Sequence, residues 1–448
     1  MSRVHFDSYL PSPIPDGETP VSWLRQLTAR GVSRRYGSAL SAEMTTRIER
    51  ELEMISAARA AGYMVIVAEY VDWAKKAGIW VGPGRGTVTG SVVAYAMGIT
   101  EIDPLRHGLL FERFLNAEFS SSAFPDIDLD LEWGRRPEII DHIVAVYGKD
   151  SVAAIASHRD PLKVHAAGVL IVDRPISELA TVKALPRTSQ TRWLRAVEHC
   201  TELDSVACER IGLVRFDLLA LRDLRSMRRT VEAVARNRGV KIAPWSPDIP
   251  HDDPSTYEIL CAGDTDGVFQ LGNTWTQEFM RELQPQRFDD LVALMALGRP
   301  RPTARGILTA YIDRRYGRVQ TWAVHPELDG ALAPILDPTY GLLVYQEQIV
   351  MVIHTLAGMS LGEAEYLRRV LLRNLPSVVE TWMSKFMAAM EGRGYSKGAV
   401  EAVRQLILAN SRSVFQKSHA VSYALITYTA AYLKAHYPVE FDEGISAE

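Results

Sequence analysis

From Ala42 to Gly62 the apolar positions Ile48, Leu52, Ile55 and Ala58 recur every three or four residues among charged ones, which predicts an amphipathic helix. The next stretch, "YMVIVAEYVDWAKKAG", is apolar on more than one side and predicts a more buried helix ending at Gly78. That rhythm breaks in "VGPGRGTVTGSVVAYAMG", where a glycine-rich loop runs into an apolar helix. In "FPDIDLDLEWG", Phe124 to Gly134, the period becomes two: Ile127, Leu129 and Leu131 alternate with Asp126, Asp128 and Asp130. A strand places the hydrocarbon on a core face and the carboxylates together on the other. A helix, "RRPEIIDHIVAVYG", follows. From 166 to 224 short apolar runs, "AAGVLIV" and "IGLVRFDLLAL", read as strands of the same sheet, and after 225 the pattern is mostly helical. Residues 1–20 are proline-rich and read as an extended leader; no repeat, coiled coil or low-complexity tract is visible.

The three aspartates carry the first chemical question. On one strand face, neighbours stand about 7 Å apart and repel unless a cation sits among them. A solvated strand face is one reading. A calcium loop is another, but the sixth position is Leu131 where that loop needs glycine, and the twelfth is Pro137 where it needs glutamate. The third is a two-metal site for phosphoryl chemistry, which requires a phosphate cradle and another acid from elsewhere.

Both are available. In Gly82 to Ser91, "GPGRGTVTGS", four glycines let backbone N–H groups approach a phosphate, the following helix offers its N-terminus, and Arg85, Thr87, Thr89 and Ser91 add donors. The loop lacks the Gly-Lys-Ser/Thr of a Walker A motif, and a tight turn with a small-residue cap is its plain alternative. Asp217 in "RFDLLAL" is a lone acid in an apolar strand, held either by metal or by Arg215 or Arg222.

Bulk properties narrow the setting. The chain has 448 residues, 47% hydrophobic and 23% charged, with a net charge of −4, so any nucleic-acid surface is local. One candidate is the segment holding Arg299, Arg301, Arg305, Arg314, Arg315 and Arg318, opposed only by Asp313. Three cysteines without C-x-x-C give no zinc site or disulfide framework and fit a reducing compartment. The N-terminus has no signal-peptide core and "SYALITYTAAYLKAHYP" is too short and interrupted to span a bilayer, so a cytoplasmic protein without a membrane partner is expected.

Taken in order, "VGPGRGTVTGSVVAYAMGITEIDPLRHGLLFERFLNAE…PDIDLDL", "GLVRFDLLALRDL", "TDGVFQLGN", "HPELDGALAPILDPTYGLLVYQEQI", "LGEAEYLRR" and "FQKSHAVSYALITYTAAYLKAHYPVEF" closely resemble the alpha subunit family of bacterial DNA polymerase III, the C-family polymerases, nearly throughout the chain. The resemblance implies an α/β (α+β) fold: a polymerase beta-like nucleotidyltransferase palm with a mixed sheet over residues 1–225, then a mainly helical fingers domain over 226–448. It implies two Mg2+ ions on Asp128, Asp130 and Asp217, with Asp126 a flanking acid. It maps triphosphate contacts onto Gly86, Thr87 and Arg113, puts Arg215 where the family has lysine, and assigns Arg368, Arg369 and His419 to the incoming nucleotide. The substrates would be dNTPs and primer–template DNA.

Departures temper this. The resemblance starts after the family's N-terminal phosphoesterase-like (PHP) domain and stops before its C-terminal helix-hairpin-helix, clamp-binding and OB-fold regions, so a short form lacking them is expected. The thumb shrinks to a stub around 159–163, "RPGP" reads "RPRP" at 299–302, a glycine-lysine-lysine becomes "LLRNLP", and a tyrosine becomes Ser413. A distributive DNA-directed DNA polymerase for replication or repair is therefore the leading expectation, with other polymerase subunits or separately encoded domains as further partners. A weak or inactive DNA- or polymerase-binding paralogue and a template-independent nucleotidyltransferase are the alternatives.

Overall fold

The computed structural model describes residues 9–446 except 12, 117–123, 159, 161–162, 299–301, 321–323 and 374, and excluding the side chains of 302–305. It divides into two compact units, Met1–Ser246 with Tyr437–Glu448, and Pro247–His436. The expected palm–fingers boundary at 225 falls inside a helix of the first unit.

In the first unit, helices α1 (Pro20–Tyr36), α2 (Ala42–Ala57), α3 (Ala61–Lys76) and the short α4 (Val92–Ala96) precede β1 (Asp128–Glu132). Then come α5 (Arg136–Tyr147), β2 (Val152–Ala156), β3 (Val164–Ile171), β4 (Val182–Ala184), β5 (His199–Asp204), α6 (Ser205–Arg210), β6 (Arg215–Leu221) and α7 (Arg222–Arg238). The strands form one mixed six-stranded sheet in the order β1-β6-β3-β2-β5-β4. β1 runs parallel to β6, and β3 pairs antiparallel with both β6 and β2. The mixed α/β class expected from the sequence holds.

The period-two pattern of β1 works as expected: Ile127, Leu129 and Leu131 are 0–1% exposed and join the core. Their cover is α3, whose Tyr63, Met64, Ile66, Val67 and Tyr70 are fully or almost fully buried. Tyr63 packs edge-on against Phe124 and tilted against Phe216, with ring centroids 5.1 and 4.9 Å away, and its hydroxyl accepts the Ile127 N–H at 3.1 Å. This largely buried helix thus fixes the height at which the acidic strand begins. The C-terminal helix Pro438–Ser446 packs on α7, where Arg238 Nε is 2.8 Å from the buried Glu440.

The second unit is mainly helical, with an isolated bridge between Tyr345 and Phe415. Its centre is Lys417–His436, most of whose side chains are buried, packed against Phe288–Leu297 and Pro254–Ala262. Tyr428 there is fully buried; its hydroxyl donates to the Pro250 carbonyl at 2.6 Å and accepts the Asp253 N–H at 3.2 Å. Among the described residues no single helix is long and apolar enough to cross a membrane.

Candidate active site

Parallel pairing of β1 and β6 puts Asp128 directly opposite Asp217. One carboxylate oxygen each from Asp126, Asp128 and Asp217 lies within 4.8 Å of the other two. Asp126 joins because it precedes β1 by one further alternation, on the same face as Asp128. Asp217 is 5% exposed; its Oδ2 accepts Arg215 Nε at 2.6 Å, and its buried Oδ1 has no hydrogen-bond partner. Asp130, on the same face of β1, is instead engaged by Arg85, whose Nη1 donates to both carboxylate oxygens at 3.0 and 3.3 Å. The sequence-derived trio thus separates: Asp128 and Asp217 converge with Asp126, while Asp130 is tied to the glycine-rich loop.

That loop lies against the strand. The Gly82 N–H donates to the Asp130 carbonyl at 2.7 Å, and a Cβ at Gly82 would stand 3.0 Å from the Asp130 Cβ, so a side chain there would push the loop off β1. Gly86 has a φ of +65°, and a Cβ on it would lie 3.9 Å from Asp128 Oδ2. Gly86 and the half-buried Thr87 therefore stand beside the carboxylates. The other expected phosphate donors are otherwise employed. Thr89 and Ser91 are fully buried, Ser91 Oγ donates to Glu51 at 2.8 Å, and Glu51 also accepts the Val93 N–H at 3.1 Å. The N-terminus of α4 is thereby satisfied from within, which corrects the expectation that it faces a phosphate.

Electrostatics follow from crowding. Asp126 is pushed up to about 6, mainly by desolvation from the protein crowded around it and then by the Asp128 charge, with Arg215 opposing. Asp128 and Asp130 are also raised, by burial first; Asp217 adds to the rise at Asp128, whereas Arg85 opposes it at both. Arg215 spans the acids, 2.6 Å from Asp217, 3.5 Å from Asp126 and 3.8 Å from Glu209. His165 was not singled out in the sequence. Its Nδ1 accepts the Gly168 N–H at 2.7 Å, which assigns the neutral ring's proton to Nε2, and it lies 3.9 Å from Asp217 Oδ1. Burial and then the Arg215 charge keep it below its usual range, with Asp217 opposing. Only its position in an apolar strand hinted at it.

This crowding gives a stability prediction. An aspartate whose folded pKa is raised costs the fold stability as pH climbs from its unfolded value near 4 through about 6. Asp126→Asn is therefore expected to raise the melting temperature in EDTA at pH 7.5, and the gain should vanish below about pH 4. The Asp126 side chain is 56% exposed, so solvent screening limits the effect to about 1 kcal/mol, or roughly 1 °C in a chain of this size. A lower melting temperature at pH 7.5 would show that the Arg215 pairing outweighs the repulsion.

The remaining candidates have their own surroundings. Arg113 is 4% exposed in a short helical turn, Phe111–Arg113. In the helical unit Arg368 makes two hydrogen bonds to the fully buried Glu365, at 2.7 and 2.8 Å, and Arg369 Nε donates to the same carboxylate at 2.7 Å. His419 lines a cavity of about 180 Å³ with Phe415 and Tyr423, whose ring centroids are 5.5 and 4.1 Å from its own. The arginine segment expected to meet DNA is narrowed. Arg315 is 3.0 Å from the fully buried Asp290, Arg318 is 3.3 Å from Asp313, and Arg314 donates to the Tyr340 carbonyl at 3.2 Å. Arg299, Arg301, the Arg305 side chain and Arg159 of the thumb stub lie outside the described residues.

A mixed sheet with acids on two parallel neighbouring strands, overlaid by a glycine-rich loop and followed by a helical unit, defines a palm-and-fingers protein. Residues 22–163 match the bacterial DNA polymerase III alpha NTPase domain, and residues 223–394 match the bacterial DNA polymerase III alpha subunit finger domain. The chain belongs to the bacterial DNA polymerase III alpha family. It is 35% identical to DNA polymerase III subunit alpha of Mycobacterium tuberculosis, over 97% of this chain and 43% of the relative. Identity is 32% to the subunit of Aquifex aeolicus (96% and 44%) and 33% to that of Escherichia coli K12 (89% and 40%). The chain therefore spans less than half the length of these curated relatives.

Proposed function

We propose that the chain is a DNA-directed DNA polymerase, transferring a nucleotidyl group from a dNTP to a primer 3′-hydroxyl with release of pyrophosphate. The observation that carries this reading is the convergence of Asp126, Asp128 and Asp217 beside Gly86, with Asp130 one alternation further along β1. Hard carboxylate oxygens suit magnesium, and the buried Asp217 Oδ1 without a hydrogen-bond partner is the kind of group a cation satisfies. Asp128, Asp130 and Asp217 would hold two Mg2+ ions, which when bound offset charge on the triphosphate and activate the primer hydroxyl.

The chain's own residues prepare the site. Arg215 fixes the Asp217 carboxylate through Oδ2 and leaves Oδ1 available. Gly86 lets the loop backbone approach Asp128 closely, where its N–H, the Thr87 hydroxyl and Arg113 would receive phosphate oxygens. Arg368 and Arg369 would have to exchange Glu365 for a triphosphate before contacting it. Primer–template DNA is the proposed macromolecular partner, with replication or repair synthesis as the role.

The test is primer extension by the purified chain with Mg2+ and four dNTPs, on primed template and on unpaired single strand. Additions that follow the template are expected. Additions indifferent to the template would favour a template-independent transferase, and none at all would favour a binding role; either overturns the proposal.

A further inference from the structure

We infer that Arg85 gates Asp130: without nucleotide it occupies that carboxylate, so the resting site takes one divalent cation on Asp126, Asp128 and Asp217, and a bound triphosphate frees Asp130 by drawing Arg85 to itself. This rests on the reading of the Gly82–Ser91 loop as the triphosphate-binding element.

Three observations carry it. Asp130 is only 3% exposed, and Arg85 Nη1 is within 3.3 Å of both its oxygens. Arginine stays charged at any working pH, so a cation reaches Asp130 only by displacing the guanidinium. The second observation is that the carboxylates already close enough to share one cation are Asp126, Asp128 and Asp217, and that Asp217 Oδ1 is buried without a hydrogen bond. Third, Arg85 immediately precedes Gly86 on the loop beside Asp128, with a side chain 28% exposed, so it is reachable from the phosphate side. A triphosphate arriving there is a denser anion than one carboxylate and forms stronger charge-assisted bonds.

Asp130 and the triphosphate thus compete for one guanidinium. Competition of this kind is reciprocal: whatever removes Asp130 from Arg85 must tighten triphosphate binding, and the reverse. In the resting chain the second cation position is incomplete, which couples its formation to substrate arrival.

Mn2+ is the probe for the cation, followed by the electron paramagnetic resonance signal of the free ion. The intact chain is expected to bind one Mn2+. Asp126→Asn and Asp217→Asn should each weaken it at least tenfold, whereas Asp130→Asn should change it less than twofold. Arg85→Gln should bind a second Mn2+ without nucleotide, and Arg85→Gln with Asp130→Asn should return to one. Arg85→Lys, which keeps a charge pair, should behave as the intact chain, and melting curves on every variant establish folding. A second measurement uses dTTP in EDTA, where no ion intervenes. Asp130→Asn should bind it at least threefold more tightly, beyond any gain from Asp128→Asn, and the extra gain should disappear in an Arg85→Gln background. The gate is overturned if Asp130→Asn costs the first Mn2+ as much as Asp126→Asn does, or if the intact chain binds none or two. Template-directed extension alongside such a result would leave the polymerase reading standing. The expected Mn2+ pattern without extension would overturn that reading alone.

Discussion

Asp217→Asn is expected to lower the rate of nucleotide addition at least about a thousandfold while leaving the chain folded. Asparagine has the shape of aspartate, and its amide oxygen can still accept the Arg215 Nε–H now held at 2.6 Å. Arg215 also keeps Asp126 at 3.5 Å and Glu209 at 3.8 Å, so it is not left as an isolated buried charge, and the stability change should stay within roughly 1–2 kcal/mol. What disappears is the negative charge at a position 95% shielded from water and in register with Asp128. Metal-held charge stabilisation of a phosphoryl transition state is worth several kcal/mol, and each 1.36 kcal/mol is a factor of ten in rate. Asp128→Asn should behave alike. Single-turnover extension on a primed template, with a melting curve on the same preparation, measures both quantities. Extension within tenfold of the unsubstituted chain would remove Asp217 from the chemistry and with it the two-metal reading.

How much of this could be read beforehand depends on the kind of signal. The β1 alternation is strictly local: period two sends Ile127, Leu129 and Leu131 inward whatever else the chain does, so the strand and its acidic face were legible. The apolar runs of α3 and of Lys417–His436 were legible for the same reason. Helix α1 was not, because its only buried residues, Leu24, Thr28, Gly31 and Val32, are few and two of them are not hydrophobic. Strands β2, β4 and β5 are short, and β2 lies between β3 and the sequence-distant β5, a parallel pairing that no local period reports. The site shows the same division. That Asp128 and Asp217 belong together followed from resemblance, and the parallel register is what realises it. That Asp126 joins them while Asp130 goes to Arg85 depends on where a loop forty-five residues earlier lies on the strand, a tertiary fact. Likewise Ser91 looked like a phosphate donor until Glu51, from another helix, claimed it. Arginines were the least legible: Arg315 pairs with Asp290, a fully buried residue on a separate helix.

Synthesis by the purified chain is expected to be distributive, adding one or a few nucleotides per encounter. In the resemblance the thumb lies between the strands that here are β2 and β3, and only residues 157–163 join them. The turn closes on itself at once: the Ser157 N–H donates to the Lys163 carbonyl at 2.8 Å, and the Lys163 N–H to the Asp160 carbonyl at 2.9 Å. So short a connection cannot follow a duplex for even one helical turn. Cations that would grip phosphates are also reduced, since Arg315 and Arg318 stand within 3.0 and 3.3 Å of Asp290 and Asp313. Sequence-independent DNA affinity comes from phosphate neutralisation and counterion release, so fewer available arginines mean faster dissociation and a smaller salt dependence. Dissociation then competes with each addition. Fusing a sequence-independent duplex-binding module to the chain should lengthen products tenfold or more, because a tether raises effective concentration without altering any active-site contact. A trap assay decides: extension is started, excess unlabelled DNA is added, and product lengths are read at several salt concentrations. Products of hundreds of nucleotides from the unfused chain in the presence of the trap would mean that residues other than the 157–163 connection hold the duplex, and the arginines of the 299–305 segment would be the first to substitute.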